Sequence, residues 1–280
     1  MNIKIMSDST CDLSEELVKK YNIEIVPLTV VKDGNAYSDG IDITPADIFA
    51  HVAAGGDLCS TAALSVGEYQ DQFTKFTSNY DGVIHISISA AFSSSYQNAC
   101  LAAEEFDNVR VVDSRNLSSG QGLVVLKACE LAQTCQDLDE LQQQLNAFTE
   151  KVEASFLLDR RDYMVKGGRC SSAAALGANL LNLKPCIEVK DGKMAVVKKY
   201  RGNYAKCLSN YVKDRLSNRD DLDKGMLFVT RTPVSDACLE AVAAAVNECE
   251  AFENTYWCEA GCTVSCHCGP GTLGVLFVRK

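Results

Sequence analysis

Three side chains in this sequence are placed where they could bind or activate an acyl or anionic group. Thr61 lies in a polar loop of small residues, Cys59–Ser65, and Ser93 lies in another, Ser87–Ser95. His267 stands just before a glycine-rich turn, Gly269-Pro-Gly-Thr272, where backbone amides can approach a ligand closely. Hydroxyl groups and an imidazole can all hydrogen-bond a carboxylate.

The same residue types are also compatible with covalent catalysis. Ser93 could act as a nucleophile and His267 as its base, which would make the protein an acyl-transfer or hydrolytic enzyme. Such a site needs a group that orients the base, for which Asp8 and Asp113 are candidates, and an oxyanion hole. The sequence has no Gly-x-Ser-x-Gly nucleophile elbow, so this enzyme remains the alternative hypothesis.

Motifs for nucleotides and catalytic zinc are missing. There is no phosphate-binding P-loop, no Gly-x-Gly-x-x-Gly and no His-Glu-x-x-His, and Ser119-Gly-Gln-Gly122 is too short to be a dinucleotide fingerprint. We therefore expect no cofactor and no nucleotide chemistry carried out by this chain alone.

A dense cysteine cluster near the C-terminus invites a metal-site hypothesis. It contains Cys258, Cys262, Cys266 and Cys268, with His267 among them. Structural zinc sites usually use two well-separated ligand pairs, and residues that alternate on a strand or turn cannot all face one ion. We expect a metal-free cluster, and a redox or metal module stays open until the metal content is measured.

The chain as a whole has 14 cysteines. Most of them lie in apolar stretches, where a free thiol behaves as a small buried hydrophobe. The sequence thus favours reduced thiols in a reducing cytosol.

Strands and helices alternate through the first half of the chain. The predicted strands are Ile3–Met6, Ile23–Val31, Gly82–Ile88 and Val109–Val112, and helices are predicted from Ser14, Thr44, Ser65, Ser93 and Ser119 and over Leu138–Val152. This order predicts a largely parallel sheet flanked by helices. Ligands bind such sheets at the carboxyl ends of the strands, so we expect the polar loops to converge on one crevice.

The second half has a different pattern. It contains a predicted hairpin around Asp191-Gly192, a predicted helix over Ser171–Leu183, and further strands and helices in mixed order. We therefore predict an α/β fold with an N-terminal domain, residues 1–153, built on a largely parallel sheet, and a smaller C-terminal α+β domain, residues 154–280.

Composition and charge narrow the function classes. The chain has 280 residues, of which 47% are hydrophobic and 23% charged, and its formal net charge is −10. These fractions are ordinary for a globular protein, and the negative charge argues against nucleic acid as the main partner. No apolar run is long enough to span a membrane and the start lacks a signal peptide. We expect a cytoplasmic protein whose membrane contact is transient at most.

Short segments along nearly the whole chain resemble the DegV family, which includes the fatty-acid-binding subunits of bacterial fatty acid kinase. The segments are Ser7-Asp-Ser-Thr-Cys-Asp-Leu13, Ser60–Glu68, Ile88-Ser-Ala-Ala-Phe-Ser-Ser-Ser-Tyr96, Val112-Asp-Ser114, Lys166-Gly-Gly-Arg169, Lys184-Pro185 and His267-Cys-Gly-Pro-Gly271. They keep the order in which the family has them. Two segments depart from the family pattern: Ala62-Ala-Leu64 replaces Ser-Gln-Pro, and Ser94 replaces a glycine.

The resemblance implies a lipid carrier rather than an enzyme. A long-chain fatty acid would lie between the two domains, with its carboxyl group at Thr61, Ser93 and His267. A separate fatty acid kinase subunit would phosphorylate that carboxyl group. The resemblance further implies that Arg169 and Arg201 serve phosphate or kinase recognition.

Each of these residues also has a purely structural interpretation. Ser93 could be only a helix cap, Thr61 only a turn residue, and Arg169 only a member of a surface ion pair.

Overall fold

The computed structural model describes residues 1–174, 183–249 and 251–280. The strands of these residues are β1 (Ile3–Asp8), β2 (Glu24–Val26), β3 (Thr29–Lys32), β4 (Asn35–Ser38), β5 (Ser60–Ala62), β6 (Gly82–Ser87), β7 (Val109–Asp113), β8 (Val152–Leu158), β9 (Leu183–Lys190), β10 (Lys193–Arg201), β11 (Leu222–Arg231), β12 (Asn254–Glu259) and β13 (Thr272–Arg279). The helices are α1 (Glu15–Lys20), α2 (Pro45–Ala53), α3 (Val66–Thr77), α4 (Ser95–Ala103), α5 (Ser118–Ala132), α6 (Leu138–Thr149), α7 (Asp162–Gly167), α8 (Ser171–Ala174), α9 (Tyr204–Leu216), α10 (Asp236–Glu248) and α11 (Cys262–Cys268).

A four-stranded parallel sheet forms the centre of the first half, in the order β2-β1-β6-β7. Every residue of β6 is buried, including the polar His85 and Ser87, because parallel sheets are covered on both faces. The predicted α/β class, with helices on a parallel sheet, is confirmed.

A three-stranded antiparallel sheet in the order β4-β3-β5 was not predicted. The sequence pattern predicts no strand where β4 lies and a polar loop, Cys59–Ser65, where β5 lies. Both strands are short, and β5 has three residues. Their extended form depends on pairing with β3, which local propensity does not reveal. The pairing places Thr61 opposite Val30.

The second half is built on a six-stranded sheet in the order β10-β9-β8-β13-β11-β12. Its strands pair antiparallel, except that β11 and β12 are parallel. The predicted hairpin turn joins β9 to β10, with Asp191 and Gly192 both in the left-handed region. The sheet begins with β8 at Val152, so the proposed domain division lies inside this strand. Of the helix predicted over Ser171–Leu183, α8 is described, residues 175–182 lie outside the described residues, and Leu183 begins β9.

Helix α5 lies between the two sheets. Eleven of its residues are buried, and the main hydrophobic core joins Ile84 and Val112 of the first sheet to Phe156 and Leu276 of the second. The two halves therefore share one core. None of the helices in the described ranges combines the length and hydropathy needed to cross a membrane.

The segment around the cysteine cluster differs from its predicted strand-or-turn form. Cys258 lies on β12, but Cys262–Cys268 is the helix α11. Cysteine, threonine, valine, serine and histidine all have modest helix propensity. The helix is stabilised by tertiary contacts, since Cys262 and Cys266, one turn apart, pack against Val30 and Ile48.

Candidate functional site

A cavity of about 410 Å³ opens between the two halves of the molecule. Its size lies within the range of about 300–1,000 Å³ that is typical of small-molecule sites. The polar lining residues are Thr61, Ser93, Ser94, Arg169, Thr263 and His267, and the apolar ones are Leu28, Ala62, Ala63, Ile88, Phe92, Leu117, Met164, Met194, Val264 and Cys268. The structure thus brings together four of the residues singled out in the sequence, Thr61, Ser93, His267 and Arg169.

Thr61 and His267 form a direct pair in this cavity. The Thr61 hydroxyl lies 2.8 Å from Nε2 of His267. Strand β5 presents the threonine and helix α11 presents the histidine. Burial, together with the nearby charge of Arg169, lowers the pKa of His267 from 6.5 to about 4, so the imidazole is neutral at pH 7. A hydroxyl can donate or accept a hydrogen bond, and a neutral imidazole donates from one nitrogen only. The pair can therefore rearrange around a ligand oxygen without adding charge.

Ser93 lies in the loop between β6 and α4 and faces the same cavity. Its Oγ lies 2.9 Å from the Ser95 hydroxyl and accepts a hydrogen bond of 3.1 Å from the Ser95 amide. The hydroxyl therefore helps to begin α4 while it lines the cavity. Its described hydrogen bonds include none to His267.

The two proposed orienters of a catalytic base are occupied elsewhere. Asp8 is fully buried and accepts hydrogen bonds from Tyr69, His85, Ser87 and the Ile88 amide. Asp113 accepts from the amides of Ala90 and Arg115. Within the described part of the chain, neither carboxylate bonds His267. The geometry directs Ser93 and the Thr61–His267 pair at a shared space rather than at each other.

Arg169 is exposed and stands at the mouth of the cavity. It follows α7, which ends at Gly168 in the left-handed region, with φ 70°. The guanidinium donates to the carbonyls of Phe92 at 3.3 Å and Gly167 at 2.7 Å. No carboxylate among the described residues forms an ion pair with it. The described residues therefore do not support the interpretation of Arg169 as a member of a surface ion pair.

An open groove continues outward from the same mouth. It is lined by Ala90, Ala91, Phe92, Ser93, Ser94, Tyr96, Gln97, Cys100 and Arg169. Ser93, Ser94 and Arg169 border both spaces. The polar end of the cavity therefore adjoins the protein surface.

Arg201 lies apart from these residues. It is the exposed last residue of β10, opposite Leu183 in the hairpin, and it does not line the cavity.

Thr263 is a cavity residue that the sequence analysis missed. It is buried, and its hydroxyl has no hydrogen-bond partner among the described residues. Thr263 and His267 are four positions apart, which places them on one face of a helix. Predicting a helix for this segment would have identified Thr263 as a neighbour of His267.

A smaller apolar space, about 30 Å³, lies between α5 and the second sheet. It shares Leu117, Val264 and Cys268 with the main cavity, and Ala154, Phe156, Val189 and Leu276 are among its other lining residues. The main cavity therefore borders a small apolar space beside the second sheet.

The fourteen cysteines are all free thiols. Cys59, Cys262 and Cys266 pack in one small apolar cluster, and burial raises the pKa of Cys262 to about 12. No group of three or more potential metal ligands was found among the residues that the structure describes. The metal-free state stays a prediction, which elemental analysis of the purified protein will check.

Comparison with known proteins gives the family of the chain. A family model described as an uncharacterised protein of the DegV family matches residues 2–280. A DegV domain-containing protein of Clostridium acetobutylicum is 33% identical, over 99% of each chain. A solved DegV family protein from Thermus thermophilus, described for its fatty acid binding, is similar over 100% of both chains, with a TM-score of 0.89 and 28% identity.

A second solved structure is also similar, a stearic-acid-binding protein from Eubacterium ventriosum. It has a TM-score of 0.82 and 26% identity, and the match covers 99% of this chain and 98% of that one. Family model, sequence identity and fold agree over the full length compared, and the chain belongs to the DegV family.

Proposed function

We propose that this protein binds a long-chain fatty acid between its two domains, residues 1–153 and 154–280, and presents the carboxyl group to a separate kinase in the cytoplasm. The observation that carries the proposal is the Thr61–His267 pair in a cavity whose other lining residues are mostly apolar. The solved relatives from Thermus thermophilus and Eubacterium ventriosum are described as fatty acid binders, which supports the same ligand class here.

The polar end suits a carboxylate. A carboxylate removed from water needs hydrogen-bond donors, and Thr61, Ser93 and His267 provide them. Each hydrogen bond to a charged group contributes about 1.5–3 kcal/mol. His267 is neutral at pH 7, so it contributes no positive charge to the site. Among the cavity-lining residues, the exposed Arg169 at the mouth is the one positive charge.

The apolar lining of the main cavity suits an alkyl chain. Burial of each methylene group contributes about 0.8 kcal/mol, so a long chain binds mainly through its tail. Leu117, Val264 and Cys268 border both the main cavity and the smaller apolar space beside the second sheet. Because both halves line the main cavity, a bound tail would contact both.

Presentation to a kinase requires that the carboxyl group stay reachable from outside. Ser93, Ser94 and Arg169 border both the cavity and the open groove, so a partner seated on the groove would meet the head group. In the proposed reaction a carboxylate oxygen attacks the γ-phosphorus of ATP held by the kinase. The new bond joins that oxygen to phosphorus, the bond to ADP breaks, and an acyl phosphate forms. Arg169 and Arg201 are the proposed contacts for phosphate or kinase.

Two assays test the proposal: fatty-acid affinity, and acyl-phosphate formation with a fatty acid kinase. For Thr61→Ala, Ser93→Ala and His267→Ala we expect affinity or acyl-phosphate formation to fall by a factor of about ten to a hundred. Arg169→Ala and Arg201→Ala should lower acyl-phosphate formation while the affinity is retained.

A second set of measurements can contradict the proposal. Mass spectrometry of lipid extracted from protein made in bacteria should find a long-chain fatty acid. Wild-type behaviour of all three head-group variants in both assays would rule out the site. Esterase activity that disappears in Ser93→Ala would favour a hydrolytic enzyme instead.

A further inference from the structure

Two buried carboxylates of the first half meet the N-terminus of α11, the helix that carries His267. Asp12 accepts a hydrogen bond of 2.8 Å from the Gly261 amide. Asp39 accepts one of 2.9 Å from the Cys262 amide and one of 3.1 Å from the Thr263 amide. Three successive amides at the start of the helix are therefore bound by side chains far away in the sequence.

Helix α11 depends on these contacts more than most helices do. It has seven residues and no side chain of its own caps its first turn. A helix this short is not stable in isolation, and carboxylates near its N-terminus favour it both as acceptors and through the helix dipole. The fit is close, because a Cβ on Gly261 would lie 3.1 Å from Oδ1 of Asp12.

Both carboxylates are themselves held in place. The Ser118 hydroxyl, at the start of α5, donates to Asp12 at 2.6 Å, and the Ser9 hydroxyl donates to Asp39 at 2.9 Å. Asp12 therefore joins the beginnings of α5 and α11. The two helices contribute Leu117, next to Ser118, and Thr263 and His267 to the cavity.

We propose that Asp39 and Asp12 are positioning residues of the fatty-acid site, which set the places of Thr263 and His267 from the opposite half of the molecule. The proposal rests on the proposed function for its ligand, but not for its geometry. If the role of Asp39 and Asp12 were purely structural, their removal would destabilise the helix without moving Thr263 or His267. If they are positioning residues, their removal also changes the environment of the His267 ring.

The variants are Asp39→Ala, with Asp39→Asn as the milder change, and Asp12→Asn. The matched control is Asp137→Ala. Asp137 also accepts from two first-turn amides, of Asp139 at 2.8 Å and Glu140 at 3.1 Å, but its helix α6 contributes no residue to the cavity. Asp137 is exposed, whereas Asp39 is buried, so removing this cap costs stability through the same kind of contact, without touching α11.

The first readout needs no ligand. Long-range ¹H–¹⁵N correlation spectra follow the imidazole of His267, assigned through its absence in His267→Ala, because the chain has three histidines. In the wild type its pKa is about 4. In the Asp39 variants we expect the ring to become more solvated and its pKa to rise toward about 6.5. Asp137→Ala should leave it unchanged.

The second readout uses [1-¹³C]palmitate. We expect the Asp39 variants to shift the carboxyl resonance of bound palmitate and to weaken its affinity about tenfold, the effect of one lost hydrogen bond to a charged group. A folded Asp39→Asn and Asp12→Asn with an unchanged His267 titration would overturn the positioning proposal. Absence of palmitate binding by the wild type would overturn the proposed function alone, since the imidazole titration still decides the positioning role.

The titratable groups around Asp12 can influence the pH dependence of these readouts. Asp39 faces it as a second carboxylate, and the thiols of Cys11, Cys258, Cys262 and Cys268 lie within electrostatic reach. Burial raises the pKa of all four thiols to about 11 or 12, so they stay neutral below about pH 9. Below pH 6 the titration of His267 is therefore followed with the four thiols neutral, Asp12 largely protonated and the guanidinium of Arg169 charged nearby.

Discussion

At the cavity, two side chains hold polar atoms without a partner among the described residues: Nδ1 of His267 and Oγ1 of Thr263. A buried polar atom that lacks a hydrogen bond costs about 1–3 kcal/mol. Such groups are retained where a ligand supplies the missing partner. Both belong to the face of α11 that lines the cavity. The unpaired polar atoms therefore lie where a carboxyl group is proposed to bind.

Thr263→Val tests this interpretation, because it replaces the hydroxyl with a methyl group of similar size. We expect the ligand-free protein to gain about 1–3 kcal/mol of stability, while the affinity for palmitate falls about tenfold. Thermal unfolding and titration with palmitate measure the two effects. A variant that loses stability and keeps its affinity would show that the hydroxyl has a structural partner and no ligand role.

Gly167 gives a second residue-level prediction. A Cβ at this position would lie 2.5 Å from Nδ1 of His267, so Gly167→Ala must displace the ring. We expect a loss of palmitate affinity of about tenfold or more, measured by titration.

The neighbouring Gly168→Ala is its control. Gly168 has φ 70° and open space around its Cβ position, so alanine there costs about 1–2 kcal/mol in backbone strain and leaves His267 in place. Equal affinity of the two variants would contradict the role assigned to the ring position.

At the scale of elements, the core helix α5 packs closely against the turn after β1. A Cβ on Gly122 would lie 2.8 Å from the backbone carbonyl oxygen of Cys11 and 2.7 Å from the Leu13 side chain. A backbone atom cannot move aside as a flexible side chain can. The close packing of α5 against Ser9–Cys11 therefore requires glycine.

We expect Gly122→Ala to lower the free energy of unfolding by about 1–3 kcal/mol through overpacking. Gly67→Ala, in the exposed first turn of α3, has nothing within 4 Å of its Cβ position and should stabilise the protein by about 0.5–1 kcal/mol. Urea unfolding of the two variants measures both changes. The same sign for both would mean that Gly122 is not tightly packed.

At the scale of the whole molecule, Asp12 links the pH to the stability of the junction between the two halves. Burial raises its pKa from 3.8 to about 7. Between about pH 4 and pH 7 the folded protein therefore holds a proton that the unfolded chain has released. The stability from this group is present at low pH and lost as the pH rises, at up to about 1.4 kcal/mol per pH unit.

Asp12→Asn removes this titration and keeps the left-handed backbone, φ 48°, which asparagine tolerates. We expect the free energy of unfolding of the wild type to fall relative to that of the variant as the pH rises from about 4 to 7. Urea unfolding at several pH values within that window measures the difference. A difference that does not depend on pH would show that Asp12 is ionised throughout.

The order of elements and the polar loops could be predicted from the sequence because they depend on local patterns. Apolar runs that alternate with helical segments predicted β1, β6 and β7. Capping residues predicted the starts of α2 and α3, and the structure contains both capping boxes. The polar residues after β6 could be predicted to face a crevice, because the carboxyl ends of parallel strands share one edge.

The cavity itself was decided by tertiary structure. Helix α11 has no strong helical signal, and it forms because Asp12 and Asp39, more than 200 positions away, bind its first amides. Strand β5 exists because β3 pairs with it. The sequence determined which hydroxyls and which histidine are available. Long-range hydrogen bonding decided that Thr263 joins them and that Thr61 meets His267. These contacts could not be predicted, because contacts between distant segments leave no periodic pattern in either segment.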